Sequence, residues 1–180
     1  MTVPRIAPGG ITGAGPFAWT LARIGGLVTG TEPPKLFLTM GRQHRLFRGW
    51  LRFAGRLMPG GALPRRDTEL VILRVAHLRG CAYETAHHRR LGRRAGLTPD
   101  ELRRVEAGPD AAGWTPRERA LLAAADALLA AHDLDDQAWD ALRGHLDEPA
   151  AIEFLLLVGH YDMLATFLTT LRIEPDRVRR

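Results

Sequence analysis

One nine-residue stretch concentrates the groups able to do chemistry: Gly80, Cys81, Ala82, Tyr83, Glu84, Thr85, Ala86, His87 and His88. Gly80 lets the chain turn between two helices, which puts Cys81 at or next to the amino end of the second. That end exposes unpaired amide hydrogens and a partial positive charge, so it favours a thiolate and pulls a thiol pKa down. Glu84 and His88 follow Cys81 at i+3 and i+7 and share its helix face. His87 points about 100° away from His88. Glu69 lies twelve residues before Cys81. If the two helices fold back antiparallel across Gly80, Glu69 faces His88. A thiol, an imidazole and two carboxylates then meet. An imidazole titrates near neutrality and suits general acid–base work; a thiol beside it suits peroxide chemistry through a sulfenic acid.

Each of these residues also has a structural role open to it. A lone cysteine serves as a small buried hydrophobe. Glu84 and His88 can be a surface i, i+4 pair worth ~0.3 kcal/mol. His87 can be a solvated or boundary residue, and Glu69 can complement a helix dipole. Around them, Tyr83, Arg74 and His160 are candidates for a substrate pocket. Arg74 is the candidate to hold a substrate carboxylate through a bidentate pair. His160 either completes the pocket from the last helix or fills a core boundary. The two histidines and two glutamates match no established zinc spacing, so no metal and no other cofactor is expected.

The elements that must position these groups are helical. Residues 1–15 carry Pro4, Pro8 and several glycines and read as an irregular arm. A weak helical pattern follows over 16–29, and Pro33–Pro34 break it. Residues 35–58 read as one longer helix, with Leu36, Met40, Phe47, Trp50, Leu51, Ala54 and Met58 at near-helical spacing. Its other face carries Arg42, Arg45, Arg48, Arg52 and Arg56, a solvated or docking stripe. A helix starts near Leu63–Pro64 and runs to Gly80, and the next spans Cys81 to about Ala95, with Gly96 as its stop. Thr98–Glu101 and Thr115–Glu118 are capping boxes that open two more. A short helix follows Asp135 or Asp136. The last runs from about 150 to 171, with Phe154, Leu157, Val158, Tyr161, Leu164 and Leu168 on its apolar side. No stretch alternates with period two, and no hairpin dipeptide sits between apolar runs. The expectation is an all-α, compact bundle of roughly seven or eight helices.

Composition narrows the setting. The 180 residues suit one compact domain, with 46% apolar and 25% charged residues. Cys81 is the only cysteine, which points to a reducing, cytoplasmic compartment. No secretory signal is visible, and no apolar run approaches the ~20 residues of a membrane span. The net charge is +5, nearly all from arginine. That small excess comes with no recognised nucleic-acid motif, so neither nucleic acid nor membrane is expected as a partner.

The pattern Glu69-x11-Cys81-x2-Glu84-x3-His88 resembles the signature of the carboxymuconolactone decarboxylase and alkylhydroperoxidase D superfamily. The flanking run Arg66 to Ala76, the later run Trp114 to Ala120, and Leu157 to Ala165 resemble it as well. The resemblance covers roughly residues 35–173 and makes 1–34 an arm with a short helix and 174–180 a tail. It implies an alkylhydroperoxidase D-like helical fold and a homo-oligomer (trimer, hexamer or dimer) using the last helix and the Phe37–Trp50 face. The peroxidase branch carries a second cysteine where this chain has Glu84, so a two-cysteine disulfide cycle within the chain is excluded. Tyr83 and Glu84 fit a branch with Cys-x-Tyr-Glu-x-x-x-His. What the resemblance implies first is acid–base chemistry of the decarboxylase, isomerase or lyase kind on a small organic acid or lactone. The constellation is Glu69, Cys81, Glu84 and His88. The alternatives are a single-cysteine peroxidase reset by an external thiol and a non-catalytic, ligand-binding helical oligomer.

Overall fold

Two capping boxes open the middle helices. Thr98 Oγ1 accepts from the Glu101 amide at 3.2 Å, and Glu101 Oε2 accepts from the Thr98 amide at 2.8 Å. Thr115 and Glu118 repeat the exchange at 3.2 and 2.9 Å. Each box covers two amides that a helix start leaves unpaired. Pro99 and Pro116 take the first helical position, where no amide is needed. Arg66 joins the boxes, with Nη2 2.5 Å from Glu101 Oε1 and 2.8 Å from Glu118 Oε1. Its hydrogen bond is the main reason the Glu101 carboxyl is held down at about 2.

The computed structural model describes residues 3–58 and 60–179. Among them are nine helices: α1 (Ile11–Thr29), α2 (Lys35–Met40), α3 (His44–Leu57), α4 (Arg65–Leu78), α5 (Ala82–Arg94), α6 (Pro99–Ala107), α7 (Pro116–Ala131), α8 (Asp136–Arg143) and α9 (Glu148–Thr170). No strand forms among the described residues; Thr31 and Val178 make one isolated antiparallel bridge. The fold is all-α, as the sequence predicts. The extra helix arises because 35–58 is two helices, α2 and α3, separated by a turn over 41–43. The first helix also starts earlier than expected, at Ile11, and kinks where Gly15 adopts φ 79° and ψ 156°.

The chain divides into two compact units. In the first, residues 1–56 with 167–180, Ala14, Ala18 and Phe47 are buried together. Phe37, Phe47 and Trp50 meet with ring centroids 5.7, 5.8 and 6.0 Å apart. The Phe37–Trp50 face is therefore engaged within its own unit. The arginine stripe from Arg42 to Arg56 is exposed. The carboxy-terminal segment is pinned down: the Lys35 amide donates to Asp176 Oδ1 at 3.0 Å, and Lys35 Nζ donates to the Pro175 carbonyl at 3.1 Å.

The second unit, residues 57–166, holds the candidate site. α4 is its central element, buried at every residue from Asp67 to Ala76, and α5, α6 and α7 all pack on it. Leu70 and Leu73 of α4 share a core with Leu97, Leu102, Val105, Trp114 and Leu122. Arg74 is buried there as well. Its Nε and Nη2 donate to Asp126 at 2.6 and 2.7 Å, and its Nη1 donates to the carbonyls of Val105 and Glu106 at 2.8 and 3.0 Å. Gly108 lies against this guanidinium with φ 92° and ψ −166°, a region closed to other residues. A Cβ at Gly108 would stand 2.7 Å from Arg74 Nη2. Arg74 is tied on four sides and cannot swing away. Gly108→Ala is therefore expected to cost about 2–3 kcal/mol, read as a thermal midpoint lower by about 4–10 °C. A midpoint within 1 °C of the parent would refute this account.

α9 departs from one expectation. Its 23 residues reach a mean hydropathy of 1.5 over an apolar window, long and apolar enough by length and composition to cross a membrane. Half of that window is buried inside the protein, the pattern of a core helix. Two of its three acidic side chains are tied to protein partners. Glu153 accepts from the amides of Ala62 and Leu63 at 2.5 and 3.1 Å, and Asp162 pairs with Arg79 Nε at 2.6 Å.

Candidate active site

The site begins with the turn between α4 and α5. The Gly80 amide donates to the His77 carbonyl at 3.0 Å, and the Cys81 amide donates to the Ala76 carbonyl at 2.8 Å. Gly80 adopts φ 59°, left-handed backbone that glycine enters without strain. The turn sends α5 back along α4. Cys81 becomes the cap residue of α5, extended at φ −84° and ψ 92°, and its side chain is buried. Its carbonyl accepts from the amide and the hydroxyl of Thr85, both at 3.0 Å.

Two turns into α5, His88 is clamped between two carboxylates. Its Nδ1 lies 2.7 Å from Glu69 Oε2, and its Nε2 lies 3.1 Å from Glu84 Oε2. All three side chains are enclosed: Glu69 is 0% exposed and Glu84 and His88 are each 3% exposed. The Glu84–His88 pair is thus a core feature rather than a surface one. Burial alone would lower the imidazole pKa. The charge and hydrogen bond of Glu69, followed by those of Glu84, outweigh it and hold the pKa up at about 9. At neutral pH His88 is an imidazolium whose two N–H groups each donate to a carboxylate.

Arg65 completes the charge balance. Its Nη2 lies 2.5 Å from Glu69 Oε1, the oxygen His88 does not use. Two carboxylates thus face one imidazolium and one guanidinium, and the group of four is neutral, with Arg65 reaching in from a partly exposed side chain. Sequence analysis does not single out Arg65, yet a signal was there: it precedes Glu69 by four residues and shares its helix face.

Aromatic rings enclose the imidazole. Tyr161 of α9 meets His88 edge-on, with centroids 5.1 Å apart at 90°. Its hydroxyl contacts Met58 Sδ at 3.6 Å. Burial, with Glu84 and Glu69 nearby, raises the Tyr161 phenol well above its ordinary range, so it stays protonated. His160 packs edge-on against Tyr161 at 5.2 Å, one ring removed from His88, and burial pushes its pKa down to about 4. Tyr83 is buried and stacks on His87, with centroids 6.4 Å apart. His87 is driven down to about 3, first by burial, then by His88, Arg90, Arg65 and Arg94. It is therefore neutral beside a charged His88.

Of the residues singled out in the sequence, Glu69, Glu84 and His88 meet directly. Cys81 is buried at the amino cap of α5, and Tyr83 and His160 lie one ring away from the imidazole. Arg74 does not join them, because Asp126 and the carbonyls of Val105 and Glu106 occupy its guanidinium.

The family model for the carboxymuconolactone decarboxylase family matches residues 44–127. No curated protein matches the chain. Among solved structures, the chain is similar to an alkylhydroperoxidase AhpD core, an uncharacterized peroxidase-related protein from Ralstonia eutropha JMP134. That match has a TM-score of 0.85 and 20% identity, and covers 97% of this chain and 93% of the other. An uncharacterized peroxidase-related protein from Silicibacter sp. TM1040 gives a TM-score of 0.83 at 15% identity, covering 97% and 95%. The debrominase Bmp8 gives 0.79 at 21% identity, covering 94% and 91%. A cysteine-to-alanine variant of Bmp8 has been solved with 2,3,4-tribromopyrrole.

Proposed function

We propose that this chain, which belongs to the carboxymuconolactone decarboxylase and alkylhydroperoxidase D-like superfamily through residues 44–127, is an acid–base enzyme. It acts on a small organic acid or lactone by decarboxylation, isomerisation or elimination. Its support is the double clamp on His88, with both ring nitrogens on carboxylates at 2.7 and 3.1 Å. An imidazolium held this way is a stored proton with two exits, and each exit is a glutamate.

Glu69 is a closed exit. It is fully enclosed, and its second oxygen is held by Arg65. Glu84 lies in the first turn of α5, three residues from Cys81; it is buried too, but among the described residues it pairs with His88 and with no arginine, so it is the exit assigned to the substrate. In a decarboxylation, the bond between the carboxyl carbon and its neighbour breaks and carbon dioxide leaves. The electron pair stays on the neighbouring carbon, stabilised by an adjacent carbonyl. His88 Nε2 passes its proton to the Glu84 carboxylate, which delivers it to that carbon and is left a carboxylate again. A solvent proton reloads the imidazole. Positioned proton transfer of this kind typically supplies 10²–10⁴-fold in rate.

A thiol route is the second reading. The seat of Cys81 at the amino end of α5 favours it, as does the peroxidase or debrominase description of neighbours in fold. Against it, Glu84 adds negative charge near the sulfur, and a relay already loaded at neutral pH has no vacancy for a thiol proton.

One measurement separates the two. On a carboxylated muconolactone, kcat/KM is expected to be flat through neutral pH and to fall above about 9, where His88 loses its proton. Cys81→Ala should keep both the rate and the profile. A rate that rises through that range would make His88 a base. Collapse of activity in Cys81→Ala would move the chemistry to sulfur.

A further inference from the structure

We propose that Arg65, His87 and Arg90 form a carboxylate-binding subsite beside the Glu69–His88–Glu84 relay, an assignment that rests on the acid–base function proposed above. Two observations point there independently. Arg65 Nη1 and Arg90 Nε are both buried, and neither meets a hydrogen-bond acceptor among the described residues. Leaving a charged donor buried without an acceptor is costly, and such a deficit is relieved when an anion fills it. Both guanidinium charges also bear on one imidazole. Arg90 Nη2 is 3.5 Å from His87 Nδ1, and Arg65 and Arg90 both act on His87 through their charge.

The charges that bear on His87 are of one sign: Arg65, Arg90, Arg94 and the His88 imidazolium all act on it as cations. Guanidinium donors fit the planar oxygens of a carboxylate. The flat stack of Tyr83 on His87, 12° from parallel, walls the same corner. Arg65 belongs to both sites at once: one terminal nitrogen holds Glu69, and the other is buried with no hydrogen-bond acceptor among the described residues. A carboxylate on that second nitrogen is anchored one guanidinium's width from the relay.

A chemical consequence follows for the substrate. A carboxylate clamped by arginine is stabilised as an anion, so it is not the group that leaves as carbon dioxide. A substrate decarboxylated here carries a second acidic group, and a substrate with only one is isomerised or eliminated instead.

Succinate is the smallest probe with two such groups, and succinamide is its uncharged counterpart. With the histidine ring resonances followed by NMR, succinate is expected to shift those of His87 saturably, and succinamide is not. Arg65→Gln and Arg90→Gln should each weaken succinate binding by about tenfold or more. Glu84→Gln should bind it at least as tightly as the parent, since one repelling carboxylate is gone. Among the described residues Arg90 pairs with neither relay acid, so Arg90→Gln carries the test if Arg65→Gln fails to fold. Equal binding of succinamide, or parental succinate affinity in Arg90→Gln, would overturn the subsite. Normal turnover in Glu84→Gln, with succinate binding still lost in Arg90→Gln, would remove the relay function and leave the subsite standing.

Discussion

Glu84→Gln is expected to lower kcat by about 10²–10⁴-fold and to leave the fold intact. Glutamine has the shape of glutamate, and its Oε1 can still accept from His88 Nε2, now 3.1 Å from Glu84 Oε2. It cannot take up that proton and pass it on. The other ring nitrogen faces Glu69, which is fully enclosed and held by Arg65. No second route leads out of the imidazolium without breaking a hydrogen bond. KM should change little, because Glu84 is assigned to proton delivery and not to holding the substrate. The thermal midpoint should stay within a few degrees. Activity within tenfold of the parent would show that the proton leaves by another path.

Glu69→Ala is expected to cause the largest loss of stability of any single change in the site. Among the described residues Glu69 is the one anion that touches two cations, with Oε2 on His88 at 2.7 Å and Oε1 on Arg65 at 2.5 Å. Removing it leaves the buried imidazolium with Glu84 alone and strips the guanidinium of its anion. Breaking a buried pair from one side costs about 3–5 kcal/mol, or about 10 °C of thermal midpoint in a chain of this size. Charge, and not the lost volume, should dominate. The quadruple change Arg65→Met, Glu69→Leu, Glu84→Leu, His88→Leu removes every charge of the cluster, including the Glu84 carboxylate that pairs with His88, and should recover most of the loss. If the quadruple variant melts as low as Glu69→Ala, packing and not electrostatics governs the site.

The parts of this architecture that sequence could reveal are those set by local rules. The threonine–proline–x–glutamate pattern at Thr98 and Thr115 is readable because a capping box is complete within four residues. The juxtaposition of Glu69 and His88 is readable because one left-handed glycine, Gly80, fixes the direction of α5 and helical arithmetic does the rest. What escapes is decided by distant neighbours. The break between α2 and α3 leaves the apolar rhythm from Leu36 to Phe47 nearly unbroken. It reflects Gly41 lying so close to Ala18 that a Cβ there would come within 2.5 Å of the alanine methyl. Arg74 sits on the right helix for a substrate clamp but belongs to Asp126, fifty-two residues away. Arg65 reads as one more arginine in an arginine-rich chain until the depth of Glu69 is known. The same holds for the protonation of His88, because spacing reports which groups meet and not how little water reaches them.

The chain carries a single thiol, and its side chain is only 2% accessible. A bulky maleimide or an aromatic disulfide reagent can reach that sulfur only when the start of α5 opens. The pace of modification therefore reads the free energy of that opening directly, with no engineered label and no background from other positions. The molecule comes with its own stopwatch, mounted one turn from the proposed proton donor.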